Sequence, residues 1–361
     1  MQGHQVASAR LQRPQEVIEQ YLRPAIETLK RNKQGAEAAR VFYEFASFCD
    51  QQLQNPDGLE DFRRLSTLRE RKLREAQQLE TLYKSVGKND PTRSGIHKSL
   101  GRAMQWFKLD DEEYGRTVSA RKSFVNQSLE YYLKSLAACD EFDECLVRFF
   151  ALWLEHATSI SANEAVSRQI ESVASWKFVG LLNQMVSRLL LDDSPFQGLL
   201  GSLLRRICIE HPYHGNQHIF ASCNVDQQDE NARSRRDAAR KIGGQLHNDK
   251  KVGSLFKKIW EASVSYKALA QVRIEKTKSG KVSLSKIPAA RDMNEKVSRL
   301  GIPPVTLSLD LRPAGDYGQV PTIARFREEV SIASGLSAPK VLTARATDGK
   351  QYKQLVSYRK K

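Results

Sequence analysis

The chain has 361 residues, which corresponds to two or three structural units at roughly 100–200 residues per domain. Hydrophobic residues make up 40% of it, an ordinary value for globular protein that excludes wholesale disorder. The net charge is +15, and five scattered cysteines are too few and odd in number for a secreted disulfide scaffold.

The first residues are polar, and the chain has no run of about 18 apolar residues. We therefore expect no signal peptide, no contact with a membrane and a reducing compartment.

Helical periodicity dominates the chain from about residue 12 to 220. Leu146, Phe149, Phe150 and Trp153, for example, recur at the spacing of one helix face. We predict that 8–225 folds as helices without a sheet and that these aromatic residues lie in its core. The helices should break at 55–58, 87–95 and 192–195, and Pro24 should start or kink a helix.

Helices of about 15–30 residues joined by short turns are typical of stacked antiparallel pairs, an α-solenoid. No strict repeat of about 34 residues is present, so an irregular helical bundle stays open as the alternative.

The basic excess is concentrated in 231–300, which holds 18 basic and six acidic residues. Such a segment could contact nucleic-acid phosphates. However, Arg235, Arg236, Arg240 and Lys241 share a helix with apolar residues, so a solvated helix face is the preferred interpretation.

After about residue 300 the period changes from helix to strand. Strict alternation at 304–312 predicts a half-buried strand, and 325–332 predicts a second one. The runs 341–346 and 351–356 flank an Asp-Gly pair, which predicts a hairpin.

This tail, 308–356, resembles the first strands of the small lobe of phosphatidylinositol 3-kinase-related protein kinases. FFALWLEH (149–156), SWKFVGLLNQM (175–185) and LLRRICIEHPYHGNQHIFA (203–221) resemble the C-terminal part of the family's FAT helical domain. The resemblance extends from Ser8 to Val356 and is strongest to ATM-type members, in particular fungal telomere-length-regulating checkpoint kinases.

The resemblance implies a mainly α fold, with a FAT-type α-solenoid of TPR-like helical pairs followed by a short antiparallel β segment, an incomplete kinase N-lobe. The implied domains are the solenoid (1–225), a basic helical linker (226–300) and the start of the catalytic domain (301–361). The resemblance implies that the chain is a fragment of a nuclear serine/threonine kinase that acts in DNA-damage checkpoint signalling and telomere maintenance. It also implies that protein partners bind through the solenoid and that 231–300 makes at most weak, non-specific contact with nucleic acid.

The resemblance also places a degenerate phosphate loop at Ala346, Thr347, Asp348, Gly349 and Lys350. The lysine that pairs with nucleotide phosphates in the family corresponds to Ser357, and the large lobe with its catalytic and Mg²⁺-binding groups has no counterpart. We therefore expect no catalytic residue, no cofactor and no kinase activity in this chain itself, although the full-length family uses ATP and Mg²⁺. The open alternative is a non-catalytic helical scaffold that binds protein partners or nucleic acid.

Three other clusters contain residues that could carry chemistry. Cys208, His211, His214, His218 and Cys223 crowd together, but their spacing fits no closed zinc site, so we prefer a helix end whose histidines bond to neighbouring helices. The acidic clusters at 110–113 and 140–144 each precede a helical run, where carboxylates complement the helix dipole.

Overall fold

The structure, a computed structural model, describes residues 12–30, 32–224, 229–274, 280–334 and 338–357. The chain divides after Val173 into two compact units. Within these described ranges the first unit is helical throughout, whereas the second combines helices with one antiparallel sheet. None of the described helices is both long and apolar enough to cross a membrane.

The first unit begins with a helical segment whose winding changes at a proline. A π-helical turn, Ile18–Leu22, lies directly before a helix that carries Pro24 in its first turn. Proline has no N–H to bond the carbonyl four residues earlier, which explains the interruption and confirms the expected effect of Pro24. The α-helices of this unit are α1 (Pro14–Val17), α2 (Arg23–Thr28), α3 (Ala36–Gln54), α4 (Pro56–Ser85), α5 (Arg93–Ala138), α6 (Cys145–Glu155) and α7 (Ile160–Ser167).

Helices α4 and α5 form a long antiparallel hairpin. The Phe62 and Tyr114 ring centroids lie 5.5 Å apart, and those of Tyr83 and His97 lie 5.3 Å apart. The residue numbers of the contacting partners therefore rise along α4 while they fall along α5, which shows that the two helices are antiparallel. At about 1.5 Å per residue, α5 extends roughly 70 Å. The antiparallel helix pair expected from the periodicity is therefore present, with unusually long members.

The acidic cluster at 110–113 lies in the middle of α5, so its predicted position before a helix is wrong. Asp111 accepts a hydrogen bond from Nε of Arg69 on α4 at 2.5 Å, and a Glu112 oxygen lies 3.7 Å from an Arg116 nitrogen. Asp111 thus pairs with an arginine of the other helix, and Glu112 pairs with an arginine of its own helix. Neither carboxylate lies at a helix N-terminus, where it would interact with the helix dipole. The cluster at 140–144 does lie directly before α6, as predicted.

The core of the first unit contains the aromatic set predicted from the sequence. Phe149, Phe150 and Trp153 of α6 are 0%, 4% and 0% exposed. Nε1 of Trp153 donates a hydrogen bond to Oδ1 of Asn163 on α7 at 2.8 Å. The described residues 12–30 and 32–224 contain helices and no strand, which confirms the all-helical prediction for that part of the chain.

The helices of the second unit follow a 3-10 segment at Ser175–Leu181. Pro195 opens the second of these helices, and the Ser194 hydroxyl caps it by accepting from the Gln197 N–H at 3.3 Å, in agreement with the break predicted at 192–195. The α-helices are α8 (Leu182–Ser187), α9 (Pro195–Glu210), α10 (Pro212–Cys223), α11 (Glu230–His247), α12 (Gly253–Gln271) and α13 (Pro288–Leu300).

Helices α9 and α10 approach closely at a glycine. A Cβ on Gly215 would lie 2.8 Å from Sγ and 3.0 Å from Cα of Cys208, so Gly215→Ala should separate the helices and lower the free energy of unfolding by about 1–3 kcal/mol. Gly244→Ala on α11, whose Cβ would meet nothing within 4 Å, is the control and should be neutral or stabilising. Urea unfolding measures both; a Gly215→Ala protein as stable as the parent would contradict the packing.

The sheet is organised around one central strand. Its strands are β1 (Lys281–Ser283), β2 (Ile323–Phe326), β3 (Glu329–Ile332), β4 (Lys340–Ala346) and β5 (Gln351–Val356). β5 pairs along one edge of β4, while β3 and β2 pair with the beginning and the end of its other edge, and β1 extends β3. All pairs are antiparallel, and the hairpin predicted from the Asp-Gly turn is confirmed.

The single strand expected at 325–332 is two strands, β2 and β3. Arg327 and Glu328 separate them; the Arg327 N–H donates to the Thr343 carbonyl at 2.8 Å, and the Leu284 N–H donates to the Glu328 carbonyl at 2.6 Å. The chain turns here because the two strands pair with different halves of β4.

The strand expected at 304–312 is wrong. Leu307 and Leu309 are half-buried and Ser308 and Asp310 are exposed, so the alternation in burial is present, but the segment belongs to no sheet. Pro303 and Pro304 stand at its start and lack the N–H donors of a ladder, and the segment turns where the Leu307 N–H donates to the Pro304 carbonyl at 3.0 Å.

The sheet packs on α12 and α13 through a continuous apolar core. Buried residues of both helices and of β2 to β5 form one cluster, which includes Ile259, Leu269, Met293, Val297, Phe326, Val330, Leu342 and Val356. An isolated small sheet buries little apolar surface, so these helices supply the second layer that the strands need.

Candidate functional site

The predicted phosphate-loop turn lies between β4 and β5. Gly349 has φ of 80°, a conformation that glycine adopts without strain. The turn closes on itself because the Gly349 N–H donates to the Ala346 carbonyl at 2.9 Å and the Ala346 N–H donates to the Lys350 carbonyl at 3.0 Å. The structure thus brings all five predicted turn residues together at the exposed end of the hairpin.

Thr347 and Asp348 hold the turn in place through further hydrogen bonds. Thr347 donates its N–H to the Thr322 carbonyl at 2.8 Å, and its Oγ1 accepts from the Thr322 N–H at 3.1 Å. The Asp348 carboxylate accepts from the Lys350 N–H at 3.0 Å and from the Tyr352 hydroxyl at 3.1 Å. The Asp348 carboxylate therefore occupies the N–H donor of Lys350, whereas a phosphate loop leaves such N–H groups free for the ligand.

The turn in this conformation does not fit a nucleotide phosphate. Phosphate loops bind through several free backbone N–H groups. The N–H groups of Thr347, Gly349 and Lys350 all donate within the protein. In the part of the chain that the structure describes, no three His, Cys, Asp or Glu side chains come together as metal ligands.

Ser357 lies immediately after β5 and is exposed. Its hydroxyl carries no charge, so it cannot neutralise phosphate as an ammonium group would. Its correspondence to the family's lysine rests on the sequence resemblance and remains a prediction.

Cys208, His211 and His214 lie at the junction of α9 and α10, whereas His218 and Cys223 lie further along α10. His211 Nδ1 lies 2.9 Å from the Tyr317 hydroxyl, His214 Nδ1 lies 3.4 Å from the same oxygen, and His214 Nε2 lies 3.3 Å from the Leu309 carbonyl. These histidines bond to the segment between α13 and β2, whereas we expected bonds to neighbouring helices.

Burial disfavours the charged forms of this cluster. It lowers the pKa of His211, against the opposing charge of Glu210, and raises the pKa of the Cys208 thiol to about 12 and that of Cys223 to about 11. Metal binding requires the thiolate, so a metal would have to displace the proton of each buried thiol.

The basic segment presents only some of its cations to solvent. Arg240 and Lys241 on α11 are exposed, while Arg235 and Arg236 are half-buried. The same helix buries an apolar face of Ala238, Ala239 and Ile242, as the sequence predicted. Further exposed cations follow at Lys250, Lys251, Lys257 and Lys258.

Two polar residues that the sequence did not single out lie on strands facing α12. Lys340 on β4 is 2% exposed, and its ammonium donates to the Ala270 carbonyl near the end of α12 at 2.9 Å; burial lowers its pKa. Gln354 on β5 is also 2% exposed and accepts from the Tyr266 hydroxyl at 2.6 Å. Isolated polar residues in alternating strands give no sequence signal of burial.

Comparison with known proteins shows that the sequence is extensively similar to one group of kinases. The chain is 42% identical over 357 residues to the serine/threonine-protein kinase tel1 of Emericella nidulans and 43% identical over 356 residues to that of Aspergillus oryzae, in each case over 98% of the chain. The chain spans about 13% and 12% of the length of these curated relatives. No protein-family model matches it.

Solved structures give the same result for the fold. The open conformation of CtTel1 matches 98% of the chain with a TM-score of 0.89 and 43% identity, and the chain covers 13% of that structure. The FAT and kinase domain of CtTel1 matches 98% of the chain with a TM-score of 0.87 and 42% identity, and 24% of it is covered. The similarity includes both the helices and the strands.

Proposed function

Because the chain belongs to the Tel1 family of ATM-type serine/threonine-protein kinases and corresponds to part of its FAT and kinase region, we propose that it connects the FAT solenoid to the small kinase lobe. The whole protein would phosphorylate serine and threonine with ATP and Mg²⁺, in DNA-damage checkpoint signalling and telomere maintenance in the nucleus. Its protein partners would bind along the helices.

The observation that carries this proposal is the shared core of helices and strands. Leu269 of α12 and Met293 of α13 pack in one buried cluster with Phe326, Leu342 and Val356 of the sheet. The first strands of the small lobe are thus fixed on helices that precede them in the chain. In phosphoryl transfer the protein acts mainly by positioning and charge neutralisation, so helices that hold the strands of the small lobe rigidly are a suitable contribution.

Ser357 provides the test of this proposal. The full-length Emericella nidulans relative, with its matching segment replaced by residues 1–357, should phosphorylate a Ser-Gln peptide at least about 100-fold more slowly than a chimera with Ser357→Lys, because a phosphate-facing cation is missing. Radiolabelled phosphate incorporation gives kcat/KM for both proteins.

Ser357→Ala in the same chimera is the matched control. It removes only the hydroxyl and should leave the low activity unchanged, whereas Ser357→Lys should restore it. Equal activity of the serine, alanine and lysine chimeras would show that residue 357 does not occupy the phosphate-pairing position. Inactivity of all three with normal expression would argue against the kinase assignment of this segment.

We also propose weak nucleic-acid contact through the exposed cations of the basic segment. Binding to labelled duplex DNA should be independent of sequence and fall about 100-fold or more between 50 and 200 mM salt, because phosphate neutralisation releases counterions. Fluorescence anisotropy with two unrelated duplexes measures this. A sequence preference that survives near-physiological salt would contradict it and favour a nucleic-acid-binding scaffold.

Charge removal gives the control for this binding. Arg240→Gln combined with Lys241→Gln should lower the slope of log K against log salt by about 2. Arg102→Gln combined with Lys108→Gln on α5, also exposed, removes the same charge from the other unit and should leave the slope unchanged.

A further inference from the structure

The first unit contains a cavity of about 550 Å³ that the kinase assignment does not use. It lies where the end of α3, the beginning of α4, the second half of α5 and the end of α6 meet. Cavities of about 300–1,000 Å³ with mainly apolar walls and a few polar groups are typical binding sites for small organic molecules. The apolar part of this wall is formed by Leu53, Leu59, Phe62, Val118, Val125 and Leu152.

Arg121 on α5 brings a positive charge to this wall, and its partners among the described residues are neutral. Its Nη2 donates to the Leu53 carbonyl at 3.3 Å, and its guanidinium carbon lies 5.3 Å from the centroid of the Phe62 ring. Its Nε and Nη1 have no partner there and are not sealed from solvent. A ligand in the cavity can therefore reach N–H donors of Arg121 that the protein itself does not use.

Arg148 on α6 adds a second accessible donor. It uses Nε and Nη2 for the carboxylate of Asp50, at 2.7 and 2.5 Å, whereas its Nη1 has no partner among the described residues and is not sealed from solvent. Burial lowers the pKa of His156, which also lines the cavity, and the charges of both arginines lower it further, against the opposing charge of Glu155. This part of the wall is therefore electropositive.

The charges around the cavity leave one positive charge uncompensated. Among the described residues that line it, Arg121, Lys122 and Arg148 carry positive charges and Glu155 carries a negative one. Asp50, which pairs with Arg148, brings the negative charges to two, so the sum is +1. A single carboxylate would balance this charge, whereas a polyphosphate would bring more negative charge than the wall compensates.

We propose that this cavity binds a small monocarboxylate with an apolar body. The carboxylate accepts hydrogen bonds from Arg121 and from Nη1 of Arg148, and the apolar body lies against Leu59 and Leu152. Neither arginine has to give up a partner, because each keeps donors that the protein does not use. The cavity contains no residue of the phosphate-loop-like turn and not Ser357, so the site is independent of the proposed kinase function.

Calorimetric titration of the full 361-residue chain with octanoate tests the proposal. Octanoate should bind one site with a Kd of about 0.1–1 mM. Octanamide, which has the apolar body without the charge, and acetate, which has the charge without the body, should each bind at least about tenfold more weakly. Arg121→Met should weaken octanoate binding about tenfold, because a charge-assisted hydrogen bond is lost. Arg116→Met, at an 80% exposed arginine on the same helix outside the cavity, should leave it unchanged.

Two further measurements decide if Arg121→Met fails to fold, as judged by circular dichroism. Lys122 is exposed, so Lys122→Met should fold normally and weaken octanoate binding by at least about twofold. Bound octanoate should raise the pKa of His156, because a nearby negative charge favours the imidazolium form. Proton NMR measures this pKa, and His156→Gln assigns the signal.

Four results would overturn the proposal, whatever the kinase chimeras show. These are equal affinity for octanoate and either of the two partial probes, an equal loss with Arg116→Met, an unchanged pKa of His156 at saturating octanoate, and no binding at millimolar octanoate.

Discussion

Replacing Arg148 by methionine should lower the free energy of unfolding of the first unit by about 2–3 kcal/mol, less than for a fully buried pair because the arginine side chain is 36% exposed. Arg148 pairs with Asp50, which is 4% exposed: Nε donates to Oδ2 at 2.7 Å and Nη2 to Oδ1 at 2.5 Å. Tyr132 and Gln54 donate to the same carboxylate at 3.1 and 3.0 Å. Methionine would leave a buried carboxylate without its counter-charge, and urea unfolding measures the cost.

The pH dependence of stability should change with this variant. Burial acts to raise the pKa of Asp50, but the hydrogen bonds from Arg148, Gln54 and Tyr132 and the charge of Arg148 lower it overall. Because the folded pKa is below the unfolded one of about 3.9, the stabilisation is present above pH 4 and disappears as pH falls through the folded pKa. Arg148→Met should lose this contribution.

An exposed pair gives the control for the Arg148 variant. An Arg168 nitrogen lies 3.4 Å from a Glu130 oxygen, with the arginine side chain 55% exposed, so Arg168→Met should cost less than about 1 kcal/mol. A loss below about 1 kcal/mol for Arg148→Met as well would mean that Asp50 is neutralised or solvated in the folded protein.

Replacing Trp153 by alanine should cost about 3–5 kcal/mol, because it removes a large side chain with no exposed surface. The ring lies 6.0 Å from Phe149 and 6.2 Å from Phe150, measured between centroids, and its N–H bonds to Asn163. Denaturant unfolding followed by far-UV circular dichroism gives the change in stability.

Two variants separate the contributions of Trp153. Trp153→Phe retains much of the apolar volume but leaves Oδ1 of Asn163 without this donor, so it should cost less than alanine and more than a surface change. Val147→Ala on the same helix, at a side chain that is 64% exposed, should stay within about 0.5 kcal/mol. A Trp153→Ala protein that loses less than about 1 kcal/mol would indicate that this helix face is not core.

Regular periodicity was sufficient to predict the helices and the hairpin. The aromatic residues of α6 share one helix face, and Gly349 supplies the left-handed conformation that the β4–β5 turn requires, so local chemistry and the fold agree at both places. The same reasoning failed at 304–312, because alternation reports which side chains are buried and not whether a neighbouring strand is available for hydrogen bonding.

The residues of the phosphate-loop-like turn were identifiable from the sequence, but their hydrogen bonds were not. Thr347 bonds to Thr322, 25 positions earlier, and this pairing exists only once β2 lies beside β4. The tertiary contact decides that the turn N–H groups are occupied.

The sequence by itself determined the succession of helices followed by the β4–β5 hairpin and, through resemblance, the similarity to Tel1 kinases. Only the tertiary structure decided which polar side chains are buried and with which partners. Asp50 meets Arg148 across 98 positions, Lys340 meets the Ala270 carbonyl across 70, and Gln354 meets Tyr266 across 88. Periodicity extends over a few turns or a strand, whereas these pairs form because the packing of separate elements removes water from Asp50, Lys340 and Gln354, so that each needs a hydrogen bond within the protein.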